Sequence, residues 1–209
     1  MTAVENGPRP ARAGRAADKV AARRAELAAA ALKTLSELGY ARTSLREIAQ
    51  NSEFSHGVLH YYFADKVDLI THCVREYKAL CVTRYDQVVA TATTPEELAD
   101  GFLAKLAETL TGDASMHRLW YDLRNQSMFE PTFHEDVAAI DASLERMIWR
   151  VVSRYAELSG GRIGLPSSDA YAMLDGLFER ALLRHLSGDQ TALPTLRATA
   201  QVLPPRLLA

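Results

Sequence analysis

Apolar residues recur along almost the whole chain at intervals of three and four, the spacing of one helix face. Nowhere do apolar and polar residues alternate over the length that a half-buried strand needs. Residues that favour helices, chiefly Ala, Leu, Glu and Arg, are abundant throughout. The first apolar stripe predicts a helix from Asp18 to Leu38, and Gly39 is suited to end it. The pattern therefore predicts an all-α protein.

Polar caps, prolines and glycines divide the rest of the chain into further helices. Ser44 with Glu47 three residues later has capping-box spacing, and Thr94 followed by Pro95 is typical of a helix start. Two short helices are predicted at 44–51 and 55–62. Longer helices are predicted at 65–90, 94–110, 116–128, 131–160, 168–186 and 192–202. With the first helix, this makes about nine helices.

The pattern also predicts how the chain is organised. Residues 1–17 mix Pro, Gly, Ala and spaced arginines without an apolar stripe, which predicts a disordered basic tail. The two short helices close a first domain at 18–64, and the longer helices form a second domain at 65–209. A chain of 209 residues is long enough for this arrangement.

Charge is distributed unevenly between the two ends. The net charge is −2, so bulk charge does not indicate a polyanion-binding protein. Residues 1–78 nevertheless contain 12 Lys and Arg against 9 Asp and Glu, whereas residues 79–209 contain 12 against 17. A basic N-terminal part on an acidic body is a weak indication of a nucleic-acid surface.

The cysteines and the hydropathy bear on the compartment. Cys73 and Cys81 lie eight residues apart on one predicted helix, about 12 Å along its axis, which is too far for a disulfide. Reduced, packed thiols are typical of a cytoplasmic protein. No apolar run has the features of a signal peptide or the length of a membrane span, so we expect no membrane association.

The two short helices are joined by a turn at 51–54. Two short helices with such a link are typical of a helix-turn-helix, which presents its second helix to the DNA major groove. The second of them is too short to be stable alone. Val58 or Leu59 must anchor it to its neighbours, which leaves the opposite face exposed.

Residues 39–70 resemble the TetR family of bacterial transcriptional repressors. The family pattern joins a glycine–aromatic pair, a Thr/Ser pair, a short helix with Ile-Ala, a turn and a second short helix that ends in Tyr-Phe. The matching positions are Gly39, Tyr40, Thr43, Ser44, Ile48, Ala49, Ser55, Gly57, Leu59, Tyr62, Phe63 and Lys66. The resemblance implies that 18–64 is a helix-turn-helix DNA-binding domain and that 65–209 is a helical ligand-binding and dimerisation domain.

The chain departs from the family pattern in two places. The family's turn is usually Ala-Gly-Val-Ser, whereas here it is Ser52, Glu53, Phe54 and Ser55. This change places a negative side chain close to where DNA would lie. Position 60, often Tyr in the family, is His60 here. We therefore expect the DNA contacts of this chain to differ from those of its relatives at Glu53 and His60.

Ten residues are candidates for DNA contact. Near the start of the second short helix, His56 and Val58 could reach base edges, and Gly57 could allow close approach. The resemblance implies backbone contacts at the far end of that helix and at the lysine that follows. The candidates are Thr43, Arg46, Ser55, His56, Gly57, Val58, His60, Tyr61, Tyr62 and Lys66. The alternatives are that Ser55 only caps the helix and that His56 and Arg46 are ordinary surface residues.

His56 and His60 also have the i, i+4 spacing of metal ligands on a helix. A third ligand of suitable type is not evident near them in the sequence. We therefore predict no metal site and no cofactor.

The body of the chain is rich in aromatic residues between Arg118 and Phe133. Apolar walls with a few polar groups are typical of a small-molecule pocket, although the same residues could simply form the core. The resemblance implies that such a pocket lies in the second domain. The candidate pocket residues are Phe102, His117, Trp120, Arg124 and Trp149.

The helix predicted at 168–186 has an apolar face broader than its own core needs. Together with the last helix it could form a four-helix bundle with a second copy of the chain, as the resemblance implies. The candidate interface residues are Leu174, Leu177, Phe178, Ala181, Leu182 and His185.

The resemblance implies a homodimeric regulator, most simply a repressor, that binds a palindromic operator in double-stranded DNA and is released by a small-molecule effector. A ligand-responsive activator of the same fold is an alternative. A more distant alternative is an all-helical enzyme or lipid-binding protein whose first helices merely pack. We find no clustered catalytic set, no nucleophile motif and no phosphate-binding glycine loop in the sequence, so no enzyme activity is predicted.

Overall fold

The computed structural model describes residues 10–206 and 208, and within this range it is all-α, as predicted. Ten α-helices and one 3₁₀ turn are present in the described part of the chain, and the only strand-like feature there is an isolated bridge between Ile163 and Leu208. The chain divides after Cys73 into two compact units.

The first unit contains α1 (Pro10–Leu38), α2 (Leu45–Gln50), α3 (His56–Tyr62) and the first half of α4 (Lys66–Cys81). Helix α1 starts eight residues before the predicted Asp18, and residues 1–9 of the tail predicted at 1–17 lie outside the described range. Pro10 fits a first-turn position, and the following alanines and arginines favour helix.

The short helices of the first unit are fixed by their caps. The Ser44 side chain accepts from the Glu47 amide, and the Glu47 carboxylate accepts from the Ser44 amide at 2.7 Å, which completes the predicted capping box. The Ser55 hydroxyl likewise accepts from the Val58 amide at 3.3 Å at the start of α3. Gly39, with φ +76°, ends α1 as predicted.

A small apolar core holds these helices together. Leu59 of α3 and Phe63 just after it are both buried, which confirms that this edge of the helix faces inward. They belong to a core with buried residues of the other helices, namely Leu27, Ala31, Leu35, Leu45, Ile48, Leu69 and Ile70. The Cys73 thiol is buried in this unit, and its Sγ lies 3.4 Å from the Ala28 carbonyl oxygen.

The second unit contains the end of α4 and all later helices. These are α5 (Asp86–Thr91), α6 (Pro95–Gly112), α7 (Ala114–Gln126), a 3₁₀ turn (Pro131–Phe133), α8 (His134–Ser159), α9 (Ser167–Leu186) and α10 (Ala192–Arg206). Helix α9 packs against α8 and α10, and α6 contacts α8, α9 and α10. The core of the second unit contains Leu98, Leu110, Leu119, Trp120, Leu123 and Phe133.

The helix predicted at 65–90 is in fact two helices, which accounts for the count of ten against about nine. The amides of Thr83 and Arg84 bond to carbonyls three residues back, a tighter turn than the α-helix. Arg150 of α8 donates to the Val82 carbonyl and to the Asp86 carboxylate, both at 2.7 Å. A side chain from another helix thus takes a carbonyl that a continuous helix would use, and sequence periodicity does not reveal such a contact.

None of the helices in the described part of the chain is long and apolar enough to cross a membrane.

Candidate nucleic-acid interface and ligand cavity

Helix α3 presents one face outward from the first unit. His56, Gly57, His60 and Tyr61 are exposed, and Tyr61 is 81% accessible. The rings of His56 and His60 meet edge-on with centroids 4.4 Å apart. A face with two imidazoles and a phenol offers neutral hydrogen-bond donors and acceptors of the kind that contact DNA bases and backbone.

The remaining candidates for DNA contact differ in how far their side chains are buried. Ser55 and Arg46 are exposed, and Val58 and Tyr62 are half-buried at the edge of the outward face. Both departures from the family pattern, Glu53 and His60, are also exposed. In the described residues no group of three or more His, Cys, Asp or Glu is placed to hold a metal ion.

Two candidates are held inside the first unit instead. Thr43 is 2% exposed, and its hydroxyl donates to the Gly39 carbonyl at 2.7 Å. The Lys66 ammonium donates to the Tyr40 carbonyl at 2.9 Å and lies 4.0 Å from the centre of the Tyr40 ring. Thr43 therefore serves to shape the turn before α2, which corrects its assignment as a DNA contact, and Lys66 is already bound to protein.

Arg24 of α1 fixes the far end of α3, a role not predicted from the sequence. Its guanidinium donates to the Tyr62 carbonyl and to the Asp68 carboxylate, both at 2.9 Å, and lies 4.4 Å from the Phe63 ring centre. Asp68 in turn accepts from the Ala64 amide at 3.1 Å. One arginine thus joins the last carbonyl of α3 to the start of α4, which sets the orientation of the outward face.

Packing inside the protein does not require a glycine at position 57. A Cβ atom built there would meet only the Ser55 hydroxyl oxygen, at 4.0 Å, which is an ordinary contact. Glycine in a helix is about 1 kcal/mol less stable than alanine. Packing among the described residues therefore does not account for a glycine at this position.

The second unit contains a partly open cavity of about 60 Å³. Helices α4, α6, α7, α8 and α9 contribute to its wall. The apolar part of the wall consists of Tyr85, Phe102, Leu106, Leu144, Met147, Ile148, Leu174 and Phe178. Cys81, a second buried thiol, also lines it. A mainly apolar wall on five helices is suited to an organic ligand.

One end of the cavity is built around a buried lysine. Lys78 of α4 is 3% exposed, its Nζ lies 3.3 Å from His117 Nδ1, and Trp120 lies beneath it with its ring centre 5.1 Å away. His117 Nε2 lies 3.1 Å from the Tyr77 hydroxyl. Burial lowers the pKa of Lys78 to about 8, and burial together with the Lys78 charge lowers the pKa of His117 to about 2. The imidazole is therefore neutral.

The other polar end is a closed network of ion pairs. Asp175 lines the cavity and accepts from the Tyr121 hydroxyl at 2.9 Å and from the Arg124 guanidinium at 2.5 Å. Asp141 lies 3.6 Å from Arg124 and accepts from the Tyr171 hydroxyl at 2.6 Å. Burial, and after it the Asp175 charge, raises the pKa of both tyrosines. The carboxylates here are already paired.

Of the five residues predicted for the pocket, Phe102 and His117 line the cavity. Trp120 is fully buried behind Lys78, Arg124 supports Asp175 from outside the wall, and Trp149 is half-buried on α8 away from the lining. The lining residues that the sequence reading missed include Lys78, Cys81, Arg84, Tyr171 and Asp175. A lysine beside the apolar stripe of α4, four residues after Val74, was the available signal.

The predicted interface face of α9 points into the second unit. Leu174 and Phe178 line the cavity, and Ala181 and Leu182 are buried in the same chain. Leu177 and His185 remain half-exposed. Four of the six candidates are therefore packed within the chain itself, because α9 is apolar on two sides and the sequence does not say which side faces the core. The opposite side exposes Met173 at 42% and Leu183 at 60%.

Comparison with known proteins agrees with this architecture. Residues 27–73 match the family described as bacterial regulatory proteins, tetR family. The HTH-type transcriptional regulator BetI of Burkholderia thailandensis is 28% identical over 169 residues, which are 77% of this chain and 82% of that protein. BetI of Paraburkholderia phymatum is 27% identical over 172 residues, which are 80% of this chain and 83% of that protein.

Solved structures share the fold over most of the chain. A TetR transcription regulator from Haloarcula marismortui has a TM-score of 0.73 at 21% identity and covers 90% of this chain and all of its own. FadR from Bacillus subtilis, solved with stearoyl-CoA, has a TM-score of 0.70 at 18% identity and covers 85% of this chain and 95% of its own. A regulator from Saccharomonospora viridis, solved with choline, has a TM-score of 0.73 at 15% identity and covers 90% of this chain and 98% of its own.

The helix-turn-helix and the helical cavity-bearing unit together define a bacterial transcriptional regulator. Within that class, residues 27–73 are similar to the TetR family, whose model they match.

Proposed function

We propose that the protein is a homodimeric repressor that binds a palindromic operator through α3 and releases it when a small molecule occupies the cavity. The observation that carries the DNA-binding part is the outward face of α3, with His56, Gly57, His60 and Tyr61 unengaged by the protein core. Such a helix places its N-terminal residues at base edges, while the residues around it hold the phosphates.

A dimer would make more base contacts with DNA than a single copy of the chain. One seven-residue helix reads few bases, and two half-sites about 34 Å apart double the number read. The exposed side of α9 supports this proposal, because Met173, Gly176, Arg180 and Leu183 follow one another at helical spacing. We propose this stripe, with the exposed face of α10, as the dimer interface in place of the residues expected from the sequence.

Effector control is supported by the cavity and by the continuity of α4. That helix begins at Lys66 in the first unit and carries Lys78 and Cys81 to the cavity wall in the second. A ligand can shift the DNA-binding equilibrium only if it prefers one conformation of the dimer. Two structural neighbours were solved with ligands as different as stearoyl-CoA and choline, so the shared fold does not specify a ligand class.

No covalent step is required for this function, and we propose that the protein acts by binding rather than by catalysis. Because the operator is DNA in a bacterial cell, the proposed site of action is the cytoplasm.

The test is a gel shift with DNA flanking the coding gene, at several salt concentrations. We expect sequence-preferring binding that weakens steeply with salt, as phosphate contacts require. Replacement of Tyr61 by Ala should weaken binding at least tenfold. Phe129→Ala is the matched control, because Phe129 is 80% exposed in the second unit and Tyr61 is 81% exposed in the first.

Two outcomes would contradict the proposal. The first is binding that shows no preference among sequences and no salt dependence. The second is an equal effect of Tyr61→Ala and Phe129→Ala. Transcription in vitro from the bound promoter then separates a repressor from an activator.

A further inference from the structure

The charged side chains around the cavity differ in whether they have a partner. Arg84 pairs with Asp113 at 2.5 Å, and Asp175 pairs with Arg124. Lys78 is the third charged residue in the wall, and within the described part of the chain it has no carboxylate within ion-pair distance. Lys78 is therefore the charged residue of this wall that has no direct ion-pair partner, and the carboxylates of Asp175 and Asp141 act on it only from a greater distance.

The hydrogen bonds of Lys78 are also incomplete. An ammonium group has three protons to donate. Among the described residues its Nζ contacts one acceptor, His117 Nδ1, at 3.3 Å. Since Nδ1 accepts, His117 carries its proton on Nε2 and directs it to the Tyr77 hydroxyl 3.1 Å away. Two ammonium protons thus remain for whatever enters the cavity.

Burying an ammonium without a counter-ion is strongly unfavourable. Lys78 is nevertheless 3% exposed, and burial does not lower its pKa far enough to make it neutral at pH 7. The neighbouring groups do not remove the charge either, because His117 is neutral and Arg84 is itself cationic. An anion against Nζ would supply the direct charge partner that Lys78 lacks.

The remainder of the wall indicates what the anion is attached to. Other polar groups of the wall are engaged within the protein: Arg84 pairs with Asp113, the Tyr121 hydroxyl donates to Asp175, and the Tyr171 hydroxyl donates to Asp141. The apolar part of the wall includes Phe102, Leu106, Met147 and Ile148. The acidic side chain in the wall, Asp175, accepts hydrogen bonds from Arg124 and Tyr121. Its charge is therefore already paired and is not available to a cationic ligand.

We propose that the effector is an amphipathic carboxylate, whose head group binds the Lys78 ammonium beside His117 and whose apolar body fills the cavity. This inference rests on the proposed function, since it identifies the chemical class of the ligand that releases the operator. The head group completes the donor set of Lys78, and the body is held by burial of apolar surface. A cationic head group at the same place would meet Lys78 and be repelled.

The test compares three probes of one chain length on the full-length protein by isothermal titration calorimetry, namely octanoate, octan-1-ol and octylamine. We expect octanoate to bind at least tenfold more tightly than octan-1-ol, and octylamine to bind more weakly than either. In Lys78→Met the preference for octanoate over octan-1-ol should disappear. Met is apolar and of similar length, so the variant should fold, which its thermal melt verifies.

Lys105→Met is the matched control. Lys105 lies on the outside of α6 and pairs with Glu108, with 43% of its side chain exposed. This variant should retain the preference of the wild type. The preference for octanoate could instead be lost in both Lys105→Met and Lys78→Met. The net charge of the protein rather than the buried site would then select the anion, which would overturn the proposal.

Other outcomes separate this inference from the proposed function. If octanoate binds no more tightly than octan-1-ol, or if octylamine binds best, the ligand class is refuted even where the gel shift shows operator binding. If octanoate binds in a Lys78-dependent way but the protein binds no operator, the inference stands and the repressor proposal falls. If octanoate binds and operator binding is insensitive to it, the assignment of a carboxylate effector is refuted.

Discussion

Acid should destabilise the second unit through one residue, His117. Its ring is 6% exposed and lies between Lys78 and Tyr77, with the Phe178 ring 4.8 Å away. Protonating this ring in the folded state would place a second cation beside Lys78. Burial, followed by the charge of Lys78, lowers the pKa of His117 from 6.5 to about 2.

The sign of the effect follows from proton uptake. Between the two pKa values the unfolded chain binds a proton at His117 that the folded chain does not. The contribution of the neutral His117 to the free energy of unfolding is therefore complete above pH 6.5, and it is lost as the pH falls. For one such group the loss is about 2 kcal/mol between about pH 7.5 and pH 5, and each further pH unit removes about 1.4 kcal/mol.

The assay is urea unfolding at a series of pH values, followed by tryptophan fluorescence. Both tryptophans, Trp120 and Trp149, lie in the second unit, so the signal reports that unit. His117→Gln should lower stability at pH 7.5 but flatten its pH dependence above pH 5. His134→Gln, which removes an exposed ring in the same unit, should retain the slope of the wild type. Parallel curves for wild type and His117→Gln would refute the reasoning.

Three further predictions concern the surfaces. Gly57→Ala should stabilise α3 by about 1 kcal/mol in thermal melts yet weaken operator binding at least tenfold in gel shifts, whereas unchanged binding would refute close approach at this position. Arg24→Gln should lower the stability of the first unit by about 1 kcal/mol and accelerate amide hydrogen exchange in α3. Leu183→Glu should produce monomers in sedimentation, whereas Met128→Glu, at a site 69% exposed, should not.

The helix-turn-helix could be predicted from the sequence because its determinants are local. Ser44, Glu47 and Ser55 each bond within three residues of their own position, so spacing alone predicted the caps. The inward face of α3 was also predictable, because one apolar residue in such a short helix must be its anchor. Arg24 was missed since its partner Tyr62 lies 38 residues away, and no periodicity relates the two.

The cavity and the interface were less predictable because both depend on which side of a helix faces inward. Helix α9 carries apolar residues on two sides, and Leu174 with Phe178 turned out to face the cavity rather than a partner. The sequence pattern alone does not show that Lys78 is buried. Its burial is determined by α7, which brings His117 and Trp120 against it from about 40 residues further along.

The outward face of α3 also bears on how the specificity of such a regulator can change. His56, Gly57, His60 and Tyr61 are exposed, while buried Leu59 and the Arg24 contact to the Tyr62 carbonyl anchor the helix. Substitutions on that face therefore carry little penalty in folding. A duplicated gene could acquire a new operator through such changes while its helix caps, its core and the Arg24 contact stay as they are.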